Sequence, residues 1–271
     1  DGTLYVADNN NRVVRAIDPT GLITTFAGLP AGQPGGGRLS YSDQPARRLW
    51  LPGAAALALG PDGAVYGVGE ADHQVWRMGL DGNARVVAGA LNPPTGGRPE
   101  AGDAGEGGEP GAAARFRYPT SLAFRPGANP PELYVSDTGN CRIKKIVDPG
   151  GPAPTVAVVV GRSVIETVLR LQAGEIGSGP VARAEALLAM PLAIAFDARG
   201  DLYVAEGGTR AARASGASGE LGADLGGLPR LGGRVRKVPL GDPAALVTTV
   251  AGAGGPVLAG GGDEGLTLVQ A

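Results

Sequence analysis

The sequence predicts an all-β fold, a β-propeller of four-stranded antiparallel blades, and three observations carry that expectation. One stretch recurs four times: DGTLYVADNNNRVVRAIDPTGLITTFAG from Asp1, PDGAVYGVGEADHQVWRMGLDGNARVVAG from Pro61, PELYVSDTGNCRIKKIVDPGGPAPTVAVVVG from Pro131, and GDLYVAEGGTR…GGRVRKVPLGDPAALVTTVAG from Gly200. Three copies follow a proline-led apolar run: LPGAAALAL at Leu51, YPTSLAF at Tyr118 and MPLAIAF at Met190. Glycine (48) and proline (23) supply a turn between every pair of runs without any collagen-like period.

The elements follow in order. Leu4-Tyr5-Val6-Ala7 and Ile143-Lys144-Lys145-Ile146 alternate as strands with two unlike faces do. An acidic residue closes the Tyr strand in each copy, read as Asp8, Glu70, Asp137 and Glu206, where a short acceptor can hold a turn. A second strand, a turn and a strand ending in Gly complete the unit. A four-stranded sheet cannot bury both faces alone, and stacking such sheets does so. The blades are placed at about 1–28 (incomplete), 49–89, 116–161 and 190–252, with 253–271 leading towards a further blade. In the second copy Gly67 reads as an addition, and Gln74 stands where Arg12 and Arg142 stand elsewhere.

The tyrosines Tyr5, Tyr66, Tyr134 and Tyr203 lie further apart than the ~40–45 residues a blade needs. Linkers take up the excess: SDQPARRLWLP from Ser42, GDAGEGGEPGAAARFRYP from Gly102, GEIGSGPVARAEALLAMP from Gly174, and GGDEGLTLVQA from Gly261. Each is a Gly/acidic turn before an Ala/Arg/Leu stretch suited to a helical turn or two. Short helices are expected over 162–172, with Val164, Ile165, Val168 and Leu169 as their apolar stripe, and over 180–188, with Pro180 at the first helical position. The insertion from Thr209 to Leu231 has the composition of a disordered loop.

Composition bounds the function. With 24 basic and 26 acidic residues, formal charge −2, and no basic block, the electrostatic footprint of a nucleic-acid binder is missing. Arg115, Arg117, Lys144 and Lys145 could still form a local cationic patch. No apolar run approaches the roughly 18 residues of a membrane-spanning helix. Cys141 is the single cysteine and His73 the single histidine. That excludes an intrachain disulfide, and also the two or three histidines common in catalytic zinc sites. Arg is preferred over Lys, and Ala and Gly abound, as in a GC-rich bacterial genome.

The candidate ligand-binding residues are Glu70, Asp72, His73, Asp137 and Asn140, in oxygen-rich turns that would suit calcium if any ion. None follows the ligand order of an EF-hand, and recurrence in every copy favours a turn-stabilising role. No cofactor and no catalytic residue is expected. His73, read at the position of Asn11, is assigned a turn or surface role, and Cys141 an inert one.

The motifs LYVAD at Leu4–Asp8, LYVSDTGNCRI at Leu133–Ile143 and LYVAE at Leu202–Glu206, with the TTFAG and TTVAG endings, resemble the NHL-repeat family. The likeness is to the bacterial form also found in the propeller region of teneurins. It implies about six blades, hence flanking blades in the same polypeptide and a frame that cuts through two of them. It also implies a non-catalytic module of a secreted or cell-envelope protein, meeting a protein or small ligand at a propeller face. The enzymatic alternative is a gluconolactonase-like hydrolase or lyase, with a divalent metal on Glu70, Asp72, Asp137, Asn140 and Glu206.

Overall fold

Acidic turn residues and positive-φ glycines set where each strand begins and ends. Asp18 accepts the N–H groups of Thr20 and Leu22 at 2.8 and 3.0 Å, and Asp197 those of Arg199 and Asp201 at 2.9 and 3.0 Å. The Asp201 N–H, ahead of every other cause, holds Asp197 below the ordinary carboxylate value. At the far end of each repeat stand Gly28, Gly89, Gly161 and Gly252, with φ of +95°, +104°, +105° and +75°. A Cβ on Gly89 or Gly161 would lie 2.5 or 2.4 Å from the carbonyl oxygen of His73 or Cys141. The recurring terminal Gly, after Ala in three repeats and after Val160 in the third, is therefore a close backbone approach that only glycine allows.

The computed structural model describes residues 2–30, 33, 36–51, 54–69, 72–91, 101–163, 166–167, 170, 179–207 and 233–252. The fold is all-β, built of antiparallel sheets of the propeller-blade kind. The first sheet is β1 (Leu4–Asp8), β2 (Val13–Ile17) and β3 (Ile23–Ala27), in that order. The second contains β4 (Gln44–Pro45), β5 (Ala54–Leu59), β6 (Val65–Gly69), β7 (Gln74–Met78) and β8 (Asn83–Ala88), ordered β4-β8-β7-β6-β5. The third contains β9 (Gly107–Pro110), β10 (Ser121–Phe124), β11 (Glu132–Asp137), β12 (Arg142–Val147) and β13 (Thr155–Val160), ordered β10-β11-β12-β13-β9. The fourth is β14 (Pro191–Phe196), β15 (Leu202–Glu206), β16 (Arg234–Val238) and β17 (Thr248–Ala251), again in sequence order.

The chain falls into two compact units. One is Asp1–Phe124, Ala128–Val135 and Lys145–Ala157; the other is Arg125–Gly127, Ser136–Lys144 and Val158–Ala271. In the first unit, Val14 and Ala27, with Tyr5, Ala7 and Phe26 beside them, pack on Trp76, Met78, Ala84 and Val86 of the second sheet. The opposite face of that sheet (Tyr66, Val68, Val75, Val87) packs on Leu122, Leu133, Val135, Ile146 and Val156. Both faces of the second sheet are thus buried, as blade stacking requires.

Three expectations need correction. The second and third sheets have five strands rather than four, because the parts of two linkers read as turns add β4 and β9, while Ala46–Arg48 after β4 forms a 3-10 turn where a helical turn was expected. Gln44 and Pro45 pair with Ala84 and Asn83, and Glu109 and Pro110 with Val156 and Thr155. An outer edge strand left unpaired would expose its backbone, and the linker satisfies it. Over 180–188 there is a single 3-10 turn, Arg183–Glu185, not a helix beginning at Pro180. Val181 exchanges both backbone hydrogen bonds with Val247, at 3.1 and 2.8 Å, which keeps the chain extended there. Gly67 is no insertion: β6 and β7 pair without a break, with Gly67 opposite Trp76. A Cβ on Gly67 would lie 2.0 Å from the Trp76 ring, so the glycine is the seat of the indole.

Residues 166, 167 and 170 are helical, in agreement with the helix expected over 162–172. Its apolar stripe Val164, Ile165, Val168 and Leu169, the Thr209–Leu231 insertion and the 253–271 linker lie outside the described residues.

Gly127 has φ +69° with nothing near its absent Cβ, whereas Gly161 combines positive φ with the Cys141 carbonyl. Positive φ alone costs a non-glycine residue about 1–2 kcal/mol. Gly161→Ala is therefore expected to lower the urea midpoint clearly more than Gly127→Ala, and equal losses would refute the close-approach account.

Candidate functional site

The four Tyr strands end at equivalent positions, and the strand pairing aligns them. Asp8 lies opposite Val13, Gly69 opposite Gln74 and Glu206 opposite Arg234. Asp137 holds the same place, three residues beyond Tyr134. Two residues into the next strand stand Arg15, Trp76, Lys144 and Arg236. In three sheets an acid meets a cation there. Asp8 accepts from Asn11 Nδ2 at 2.9 Å and Arg15 Nε at 3.2 Å, and the Asn11 bond is the main cause lowering its pKa. Asp137 Oδ2 accepts from Asn140 Nδ2 and Lys144 Nζ, both at 2.8 Å, with the acid and lysine fully buried.

Glu206 takes a two-pronged bond from Arg234, Nε to Oε1 and Nη2 to Oε2, each at 3.0 Å. The same carboxylate accepts the Ala189 N–H at 2.6 Å, while Arg234 donates to the Leu187 carbonyl at 2.7 Å. Buried Arg236 stands 3.9 Å from Glu206. Burial first, then the like charge of Arg234, bring its pKa down to about 10 against the pull of Glu206. The second sheet has lost both partners: Gly69 replaces the acid and Trp76 the cation.

Of the candidate ligand residues, Glu70 lies outside the described residues. Asp137 and Asn140 are brought together, and they bond each other. Asp72 and His73 belong to the other unit, in the turn before β7. The surface role assigned to His73 is corrected, since the residue is buried at 5% exposure. Its Nδ1 accepts the Tyr118 N–H at 3.1 Å, and its ring stands edge-on to Tyr118 with centroids 4.9 Å apart. An accepting Nδ1 defines the neutral imidazole with its proton on Nε2. The alignment with Asn11 is also off by one. Arg12, His73 and Cys141 share the left-handed conformation (φ 55°, 54° and 57°), so Gln74 corresponds to Val13 and Arg142. Among the described residues no group of three or more His, Cys, Asp or Glu side chains could hold a metal ion. The cationic group is divided: Lys144 is buried on Asp137, Arg115 donates to the carbonyls of Ala112, Ala113 and Ala114, and Lys145 pairs with Glu132.

One concavity went unread in the sequence. A cleft of about 480 Å³ in the first unit is lined by Pro61, Asp62, Tyr66, Arg77, Phe124 and Pro149, among others. Asp62 Oδ2 accepts from Tyr66 Oη at 2.9 Å and Arg77 Nε at 2.8 Å, and Phe124 meets Tyr66 edge-on at 5.0 Å. Burial opposes ionisation of Asp62, but bonds from Arg77, Tyr66 and the Ala64 N–H outweigh it and set its pKa below the ordinary value. Burial, then the bond to Asp62, push the Tyr66 hydroxyl up. The available signal was proline at the outer turns, in the Pro61-Asp62-Gly63 and Asp148-Pro149-Gly150 runs.

No protein-family profile matches the chain, and no curated protein sequence matches it. Similar solved structures include an auxiliary nutrient binding protein from Bacteroides thetaiotaomicron, at 18% identity and TM-score 0.46 over 74% of this chain and 42% of that one. A protein of unknown function from the same organism gives 18% and 0.49, covering 75% and 41%. Virginiamycin B lyase from Staphylococcus aureus gives 12% and 0.44, covering 91% and 51%. The chain thus spans about half the length of these proteins or less, and they include both a binding protein and a lyase. No described helix is long and apolar enough to cross a membrane.

Two measurements test the site chemistry. Lys144→Met strands a buried carboxylate, and stability should fall by about 3–5 kcal/mol, whereas adding Asp137→Asn should recover most of the loss. A double-mutant cycle in urea with no coupling would refute the pair. Asp62, lowered in the folded state, contributes stability that is complete above its ordinary pKa of 3.8 and is lost as pH falls through the lower folded value. Asp62→Asn should therefore flatten the decline in stability below pH 3.8, and an unchanged acid limb in a denaturation series would contradict this.

Proposed function

We propose that the chain is a non-catalytic binding or scaffolding module of the NHL-repeat kind, part of a bacterial secreted or cell-envelope protein, that meets a protein or small ligand at a propeller face. One observation carries the proposal: Asp137 and Glu206, two of the acids that would form a metal-dependent site, are spent inside the fold, as is the equivalent Asp8. Asp8 serves Asn11 and Arg15, Asp137 serves Asn140 and Lys144, and Glu206 serves Arg234 and the Ala189 N–H. A carboxylate already matched by a buried cation has little charge left to offer a divalent ion. The likeness of the repeat motifs to bacterial NHL sequences supports the family, and the Arg-, Ala- and Gly-rich composition supports the bacterial source. The cleft beside Tyr66, apolar at Phe124 and its prolines and polar at Asp62 and Arg77, is a described concavity suited to a ligand.

Lactone and aryl-ester hydrolysis, assayed with calcium, manganese or zinc and again after chelation, discriminates this reading from the hydrolase or lyase. Background rates throughout, with a melting temperature unmoved by metal or chelator, are expected. A chelator-sensitive turnover abolished by Asp137→Asn would establish the enzyme instead.

A further inference from the structure

One turn of the fold leaves its aspartate unspent, and that residue lines the cleft beside Tyr66. The turns β2–β3, β7–β8, β12–β13 and β16–β17 carry one aspartate each: Asp18, Asp81, Asp148 and Asp242. In three of them the carboxylate holds its own turn by accepting the backbone N–H two residues on. Asp18 accepts that of Thr20 at 2.8 Å, Asp81 that of Asn83 at 3.1 Å and Asp242 that of Ala244 at 2.8 Å. Asp148 departs from this rule. It takes the left-handed conformation (φ 51°), which aspartate tolerates better than most residues. Its carboxylate makes no hydrogen bond or ion pair among the described residues.

The turn of Asp148 is held by other means. The Asp148 N–H donates to the Pro131 carbonyl at 2.8 Å, and the Gly151 N–H to the Asp148 carbonyl at 3.0 Å. Arg85 Nη2 donates to the carbonyls of Gly150 and Gly151, at 2.7 and 3.0 Å. A turn fixed in this way keeps a half-buried carboxylate in one place, so a ligand does not have to order it.

The remaining lining defines what that carboxylate can meet. Its charged residues are Asp62, Asp148 and Arg77, one acid more than bases. Asp62 is matched by Arg77 at 2.8 Å and by the Tyr66 hydroxyl at 2.9 Å, so the surplus charge falls on Asp148. Arg85 spends its own charge on the two glycine carbonyls and on Asp43, 3.9 Å from its Nε. Phe124, Pro61, Pro131 and Pro149 supply apolar wall. Gly150 closes on the cleft floor: a Cβ there would lie 3.0 Å from Tyr66 Oη and 3.1 Å from Asp62 Oδ2. The volume of about 480 Å³ is that of a small-molecule site.

We infer that this cleft binds a small organic cation, a primary ammonium on an apolar body. The ammonium donates to the free Asp148 carboxylate, and the body lies against Phe124 and the prolines. The inference rests on the binding role proposed above and names the class of ligand.

Calorimetric titration of the full chain with 2-phenylethylammonium, beside the neutral isostere 2-phenylethanol, tests it. The amine should saturate, and added salt should weaken it. The alcohol should bind about tenfold more weakly or worse, for want of one charge-assisted hydrogen bond. Asp148→Asn, which keeps a side chain suited to the left-handed conformation, should cost the amine the same factor and leave the alcohol unchanged. Gly150→Ala should weaken both probes by placing a methyl group against Tyr66 and Asp62. N-acetyl-lysine methylamide, the same cation carried on a peptide, should bind less well than the amine; tighter binding would overturn the small-molecule assignment. Equal affinity for amine and alcohol, or an Asp148→Asn variant that keeps the amine, would overturn the cation and leave the binding role standing. No saturation by any probe would also overturn the inference, whereas the binding role itself fails only on the chelator-sensitive turnover described above.

Discussion

A buried charge in a sheet has to be matched where it stands, and the acid–cation pair at the end of three of the four Tyr strands does this. Removing two ions from water costs several kcal/mol each, recovered only through good geometry and further hydrogen bonds. The Glu206–Arg234 pair of the fourth sheet meets those terms: the two are joined twice, and they also take the Ala189 N–H and the Leu187 carbonyl. The pair therefore fixes more than β15 to β16. It fixes the incoming linker on the end of the sheet, just before the left-handed Met190 and Pro191 start the first strand of the blade. In the third sheet the Asp137–Lys144 pair sits beside the Thr138 hydroxyl, which donates to the Pro191 carbonyl at 2.6 Å. In the second sheet the neutral His73 takes this office, accepting the N–H of left-handed Tyr118, again just ahead of a proline. Different chemistries meet one geometric demand: the linker end must be held in a conformation it would not choose alone.

The second sheet shows that the pair is inherited or lost as a unit. Gly69 without an acid would leave a lysine or arginine at position 76 buried and unmatched, and Trp76 removes that charge. The indole then needs room, which Gly67 provides by having no Cβ. Three departures from the repeat, at residues 67, 69 and 76, are thus one change in packing.

Much of this was legible in the sequence because strand alternation and turn chemistry act locally. Tyr5, Tyr66, Tyr134 and Tyr203 aligned the repeats, and the terminal glycines marked the strand ends that their positive φ now explains. What the sequence hid was non-local. A one-residue slip puts His73 beside Asn11, because Glu70 reads as the strand-end acid whereas Gly69 holds that place opposite Gln74, which only pairing reveals. The linker strands β4 and β9 carry no strand pattern of their own; Gly107-Gly108-Glu109-Pro110 pairs because an unpaired edge lies beside it. The partners of the acids, Arg234 and Arg236, follow a long insertion, so spacing alone did not join them to Glu206.

The Asp8–Arg15 pair has the same construction as its buried counterparts and a different surrounding. Solvent screens it now, and exposed pairs of this kind contribute little to stability. Were a second sheet to cover it, the attraction would rise as the local dielectric fell, while desolvation would take back a comparable amount. The driving force for covering the face therefore comes from Leu4, Val6 and Ile23, whose apolar surface now meets water. The charged pair acts on register. A slip of one residue between β1 and β2 would draw Asp8 away from Arg15, so only the observed strand pairing keeps both charges matched. Apolar area thus supplies the driving force and the pair fixes strand register, as the buried Asp137–Lys144 pair does between β11 and β12.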